Sequence, residues 1–287
     1  MRDLYNLHKF YNNGKSSKQL NNRRKSFGYQ VLGFGSGAAA AAAATHGIFA
    51  FGRDGDGVVS YSSLLNSVGV ITGDVTGVGT ARRALGCTGY GNDKGICAFG
   101  FTGANSSLSN LISNIGVVAT DTSGVGTARE EPQATEYSAN KDKAIFFLGH
   151  DGGSYTTVRN LVSNSGVVAA DASGAGTGRL YASACRYSTD KGIFFGGIVG
   201  STLYAISNLL SNVGVVASDT SAVGGVTARY APTGCEYGSD KGIFAWGYTT
   251  AHVSMSNLVS NVGVIASDTA GVGVARAYPG GCALGTQ

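Results

Sequence analysis

Gly95-Ile96-Cys97-Ala98-Phe99-Gly100 is entered through Tyr90-Gly91-Asn92-Asp93-Lys94 and followed by Ser109-Asn110-Leu111-Ile112-Ser113-Asn114. This stretch decides the fold because the chain writes it repeatedly. Its apolar part matches Gly47–Gly52, Ala144–Gly149, Gly192–Gly197 and Gly242–Gly247, at spacings of 48, 49, 48 and 50 residues. A second element, begun by Val68-Gly69-Val70, returns around Gly116, Gly166, Gly214 and Gly263. A third, Thr-Ala-Arg or close to it, places Arg82, Arg129, Arg179, Arg229 and Arg276 in register. Five copies of one unit therefore fill residues 38–287, and a fixed period of this length signals a repeat architecture.

Each copy reads as β-structure. Short apolar runs flanked by glycine have the length and composition of buried strands. Tyr90–Gly95, Thr189–Gly192 and Ser239–Gly242 supply the Asn, Asp and Gly chemistry of tight turns that need positive φ. Roughly four short strands in each unit match the repeat length of propeller blades. Helical solenoids would need long amphipathic runs with few glycines, and this chain carries 46 glycines. The expected fold is all-β: a β-propeller of five blades with about four strands each, preceded by an extended N-terminal arm. Residues Ala275–Gly285 repeat the layout of Thr227–Tyr237 and are expected to pair with Gly47–Gly52, closing the ring, with Ala38–Ala44 at the same repeat position as the competitor for that place.

The charge is unevenly distributed. Residues 1–26 hold seven basic side chains and one acid, so the remaining 14 Lys+Arg face 16 Asp+Glu. A cationic arm and glycine-rich linker (1–37) thus precede a nearly neutral body (38–287). Aromatic residues interleave with the charges, so Tyr5, Lys9, Phe10, Tyr11, Arg23, Arg24 and Lys25 read as an arm that orders against a partner protein. Nucleic acid is not the expected partner, because the basic-aromatic pattern stops at the arm. No apolar run reaches the length of a membrane helix, and the first 26 residues have no apolar core of a signal peptide.

No catalytic constellation is legible. His8, His46, His150 and His252 share no repeat position. Asp74, Asp121, Asp171, Asp219 and Asp268 recur identically, as do the five arginines, which suits scaffold bonds and carbonyl capping. Asp54-Gly55-Asp56-Gly57 resembles a calcium loop but lacks the closing Glu. Cys87, Cys185, Cys235 and Cys282 share a strand position while Cys97 lies on the next strand; no pair has zinc-ligand spacing, and the odd count of five suggests free thiols. No enzyme activity, cofactor or metal is expected. One segment per unit escapes the repetition: Arg53–Ser63, Phe101–Leu108, His150–Val158, Ile198–Ala205 and Tyr248–Met255. Such loops gather on one propeller face, so Asp54, Asp56, Tyr155, Tyr204, Tyr248 and His252 are the candidate binding residues.

An arginine, a small-residue strand, a tight turn, an apolar strand closed by glycine and a strand around Asn-Leu-(Ile/Val)-Ser-Asn together resemble the kelch repeat. The glycine doublet is complete only at Gly196-Gly197, and the usual downstream Trp is missing. Tyr-Gly-x-Asp-Lys-Gly-Ile-Phe followed by Val-Gly-Val-Val-Ala-x-Asp-Thr-x-Gly-Val-Gly-Thr-Ala-Arg resembles the kelch-like repeats of bacteriophage virion proteins, especially tail and appendage components. The resemblance implies a non-enzymatic virion protein, assembled in the host cytoplasm in multiple copies. Its arm would dock on other virion proteins and its loops would face a host glycan, a receptor or another protein. A free lectin-like propeller is the alternative. That alternative expects similar loops in all five units, and the loops are dissimilar.

Overall fold

The computed structural model describes residues 47–222 and 224–283. All of them belong to one compact unit, Ala43–Gln287. The chain is all-β in this region, folded as small antiparallel sheets. The first repeat forms β1 (Gly47–Arg53) and β2 (Val58–Leu65). The second forms β3 (Gly86–Tyr90), β4 (Lys94–Ala98) and β5 (Ser109–Ile112). The third forms β6 (Gln133–Tyr137), β7 (Lys143–Phe147), β8 (Val158–Val162) and the short β9 (Ala172–Ser173). The fourth holds β10 (Ser183–Tyr187), β11 (Lys191–Phe195), β14 (Ile206–Leu210) and β15 (Thr220–Ser221), with β12 (Ile198–Val199) and β13 (Thr202–Leu203) as a separate ribbon. The fifth holds β16 (Thr233–Tyr237), β17 (Lys241–Ala245) and β18 (Ser256–Val259).

The turns form as their residues require. Gly91 and Asn92 take φ of 62° and 73°, and Gly238 and Ser239 take 58° and 71°, in the left-handed region suited to hairpin turns. The fourth strand expected in each unit is short or reduced to a single bridge, at Val75, Thr122 and Thr269. The glycine-rich stretch after each Asp offers few side chains to hold a longer ladder.

Each sheet packs face to face on the next. Tyr90, Ile96, Ala98 and Phe99 of the second repeat meet Ala144, Phe146 and Val162 of the third. The same positions join the third to the fourth and the fourth to the fifth. Ile48, Ala50 and Phe51 of the first repeat lie on Cys97, Ile112 and Val118 of the second. The close approach needs glycine: Gly214 has φ 82°, and a Cβ there would stand 2.8 Å from the Leu161 side chain of the preceding repeat.

A polar lock accompanies each apolar interface. Arg129 is fully buried; its Nε donates to Leu148 O at 2.9 Å and its Nη2 to Asn160 Oδ1 at 2.8 Å. Asn160 donates to Asp171 Oδ1 (2.8 Å), and the Thr127 hydroxyl donates to Asp171 Oδ2 (2.6 Å). Arg179 repeats the set with Gly196 O, Asn208, Asp219 and Thr177. Arg229 uses Trp246 O, Asn257, Asp268 and Thr227, and Arg82 uses Phe99 O, Asn110, Asp121 and Thr80. Burial pushes the Arg129, Arg179 and Arg229 guanidiniums down to about 10, against the opposing pull of Asp171, Asp219 and Asp268, so they stay charged at neutral pH. Partial burial raises the aspartates, but the threonine and asparagine donors outweigh it and hold them below the usual carboxylate range.

Two expectations are corrected. Cys87 and Cys97 are not free thiols: they are directly opposed across β3 and β4 with Cα atoms 4.2 Å apart and form a disulfide. The odd count leaves Cys185, Cys235 and Cys282 free. The C-terminal stretch makes no ladder with Gly47–Gly52 among the described residues; β1 pairs with β2 alone. Instead Tyr278 N donates to Ala231 O at 3.1 Å, and Gly281 lies against Thr233 and Gly234 of β16. Pro279 has no N–H to give to a ladder at this point.

Arg129→Ala leaves Asn160 and Asp171 without their buried cation and is expected to cost about 3–5 kcal/mol in urea denaturation. Lys143→Ala, on an exposed side chain, stays within about 0.5 kcal/mol. Thiol titration of the denatured, unreduced protein is expected to find three thiols, those of Cys185, Cys235 and Cys282.

Candidate functional site

The position two residues past each repeat arginine holds one backbone state in every copy. Ala84, Glu131, Tyr181, Ala231 and Tyr278 have φ of 59°, 56°, 53°, 51° and 57°. Non-glycine residues adopt this region at a cost, and five at one repeat position mark a conformation fixed by the surrounding bonds. Glu131 N donates to Ala84 O (2.9 Å), Ala231 N to Tyr181 O (2.7 Å) and Tyr278 N to Ala231 O (3.1 Å). Four of these residues, all but Ala84, line one cavity of about 510 Å³, to which Leu85–Cys87, Glu131–Ala134, Tyr181–Ala184, Ala231–Thr233 and Tyr278–Gly280 contribute.

Two lining residues, Tyr181 and Tyr278, belong to an aromatic cluster. Tyr181 stands edge-on to Tyr278 with ring centroids 5.5 Å apart, and Tyr230 lies 5.8 Å from Tyr181 and 5.3 Å from Tyr248. Tyr248 in turn stands edge-on to His252 at 5.1 Å. Next to Glu131 of the lining, Glu130 pairs with Arg83 at 3.9 Å. Burial, helped by the Glu130 charge and opposed by Arg83, pushes the Glu131 carboxyl up to about 7. Burial likewise raises the Tyr181 and Tyr278 hydroxyls, with Glu131 adding to both.

A second unrepeated cluster lies one residue before the last of β3, β6, β10 and β16, where the repeats carry Gly89, Glu136, Arg186 and Glu236. Arg186 is 6% exposed and pairs with Glu236 at 3.2 Å and Glu136 at 3.9 Å. It also donates to the carbonyls of Ser138 and Thr189. Lys141 closes the set on Glu236 at 2.6 Å. Burial raises the Glu136 carboxyl against the pull of Arg186 and Lys141. These contacts tie β10 to β6 and β16.

Of the residues singled out in the sequence, Tyr248 and His252 meet in the aromatic cluster. Tyr155 lies elsewhere, edge-on to His150 at 5.2 Å, and its hydroxyl accepts from Gly200 N at 3.0 Å. Tyr204 sits where its N–H reaches Gly197 O. Asp54 serves its own turn, Oδ1 accepting the N–H groups of Asp56 and Gly57 at 2.9 Å each. Among the described residues no cluster of three or more potential metal ligands occurs. Tyr5, Lys9, Phe10, Tyr11, Arg23, Arg24 and Lys25 lie outside the described residues. Glu131, Tyr181, Tyr230 and Tyr278 escaped the sequence reading. The available signal was that the pair of residues after each repeat arginine is different in every copy while its flanks repeat.

Because the Glu131 carboxyl is raised in the folded chain, its neutral form favours folding. That contribution is whole below about pH 4.5, declines above it and is gone above about pH 7. Glu131→Gln is therefore expected to match the parent at pH 4 and to exceed it by about 1–3 kcal/mol at pH 8 in chemical denaturation. No protein-family model matches the chain, and no curated protein is significantly similar to it.

Proposed function

We propose that the five repeats are kelch-like blades of a β-propeller and that the protein is a non-enzymatic structural component of a bacteriophage virion, in its tail, a fibre or a surface appendage. The cationic N-terminal arm docks on neighbouring virion proteins. The loop face, with its aromatic cavity, turns outward for host-surface or protein contacts. The observation that carries the fold reading is one cavity lined at the same repeat position by the second to fifth repeats and by the C-terminal segment. Inner strands converging on one axis produce such a lining, whereas a linear stack would separate the first contributor from the last.

The division between repeated scaffold and unrepeated face supports the display role. The arginine locks recur four times with the same partners, while the loops and the residues after each arginine vary in size and charge. Variation confined to one face is where binding evolves at little structural cost. The cluster of Tyr181, Tyr230, Tyr248 and Tyr278 also favours a lectin-like reading, since tyrosine rings offer stacking faces with polar tips. It stands on the fourth and fifth repeats and the C-terminal segment, and the other repeats carry no equivalent.

Mass spectrometry of purified particles is expected to find the protein in multiple copies. Replacing Arg23, Arg24 and Lys25 with Glu is expected to deplete it from particles without altering the fold of the body. Absence of the parent protein from particles, together with glycan binding by residues 38–287 alone, would establish the lectin reading instead.

A further inference from the structure

The interface that joins successive repeats occurs four times inside the chain, and its two halves are left over at the ends. On the first repeat, Phe49 is 60% exposed, whereas its counterparts Phe146, Phe194 and Phe244 are fully buried. Ile71 is 56% exposed against 3–9% for Val118, Val216 and Ile265. On the fifth repeat, Tyr237 is 38% exposed where Tyr90, Tyr137 and Tyr187 are at 3–4%. Leu258 is likewise exposed, although Leu111, Leu161 and Leu209 pack beneath the next sheet.

The polar lock is split in the same way. Arg276 lies over the Trp246 ring at 4.0 Å, as Arg82 lies over Phe51 and Arg129 over Phe99. Among the described residues the Arg276 guanidinium donates only to Val274 O, and the residue is exposed. Its absent partners have equivalents in the first repeat: Phe51 O for Phe99 O, Ser63 for Asn110 and Asp74 for Asp121. Ser63 Oγ donates to Asp74 Oδ1 at 2.5 Å, which leaves the rest of that carboxylate open. The buried Trp246 Nε1 also has no partner there.

We propose that the fifth repeat seats on the first repeat of the same chain, with the Arg276 guanidinium locked on Asp74, Ser63 and the Phe51 carbonyl. The inference rests on the propeller reading and adds the closing contact to it. The occupant follows from complementarity of the two faces. Apolar residues match at Phe49 and Ile71 against Tyr237 and Leu258, and cation matches carboxylate at Arg276 and Asp74. The C-terminal segment already lines the same cavity as Leu85 of the second repeat, so the faces meet at high effective concentration. The lock is altered at both halves, with Val274 in place of the repeat threonine and Ser63 in place of asparagine. The seam therefore keeps its ion pair, takes the donor to Asp74 Oδ1 from Ser63 and loses the threonine hydroxyl.

Charge reversal tests this in the full chain. Arg276→Asp and Asp74→Arg are each expected to lower the melting midpoint by about 2–4 °C and the double reversal to recover it. Trp246 is the sole tryptophan, so its fluorescence reads the seam: acrylamide quenching should rise in each single variant and fall back in the double. Should a reversal fail to fold, Arg276→Gln and Asp74→Asn give the same cycle with neutral groups. Additive effects in the cycle, or quenching that ignores all variants, would overturn closure. A parent that is dimeric by light scattering and monomeric as Arg276→Asp would overturn it in favour of a second copy. Small-angle scattering of the parent tests the ring separately, since a rod-like profile would defeat the propeller whatever the cycle returns.

Discussion

A guanidinium buried between two sheets is the constraint on which the rest of this structure depends. Arg82, Arg129, Arg179 and Arg229 have no solvent contact, and a buried charge is costly unless paired and fully hydrogen-bonded. Each therefore fixes four things at once: a carbonyl of the sheet that follows it, an asparagine on that sheet's third strand, the aspartate eleven residues past the asparagine and the threonine two residues before the arginine. The aspartate and asparagine belong to one repeat, while the arginine comes in along the chain from the repeat before. The lock thus sets the angle and spacing of consecutive sheets, and the apolar contacts fill the space it defines.

The repetition also explains what is free to vary. Once the lock and the Gly-x-Phe packing fix a sheet, the segment between its second and third strands carries no shared burden. The same holds for the residue two places past each arginine. Its left-handed φ recurs in five copies while its side chain changes from Ala to Glu to Tyr. Function of the kind proposed draws on these positions, where Tyr181, Tyr230, Tyr248 and Tyr278 gather.

Much of the fold was legible because period is a property of sequence: strand positions, tight turns and the scaffold role of Asp121, Asp171, Asp219 and Asp268 follow from recurrence. What recurrence hides is the singular. The Cys87–Cys97 bond occurs in one repeat only, and the odd total drew attention away from two cysteines facing each other across a hairpin. Glu131 and Tyr278 carry no mark in the sequence, because their meeting depends on segments distant along the chain. The C-terminal stretch copied the layout of an inner strand, yet in three dimensions it follows β16, held through Tyr278 and without an N–H at Pro279.

Hydrogen exchange at arginine side chains, followed by nitrogen-15 NMR, tests the buried lock most directly. The account predicts Nε–H signals of Arg82, Arg129, Arg179 and Arg229 that persist in deuterated solvent long after that of Arg53 has gone. Uniformly fast loss of all arginine Nε–H signals from the folded chain would contradict it.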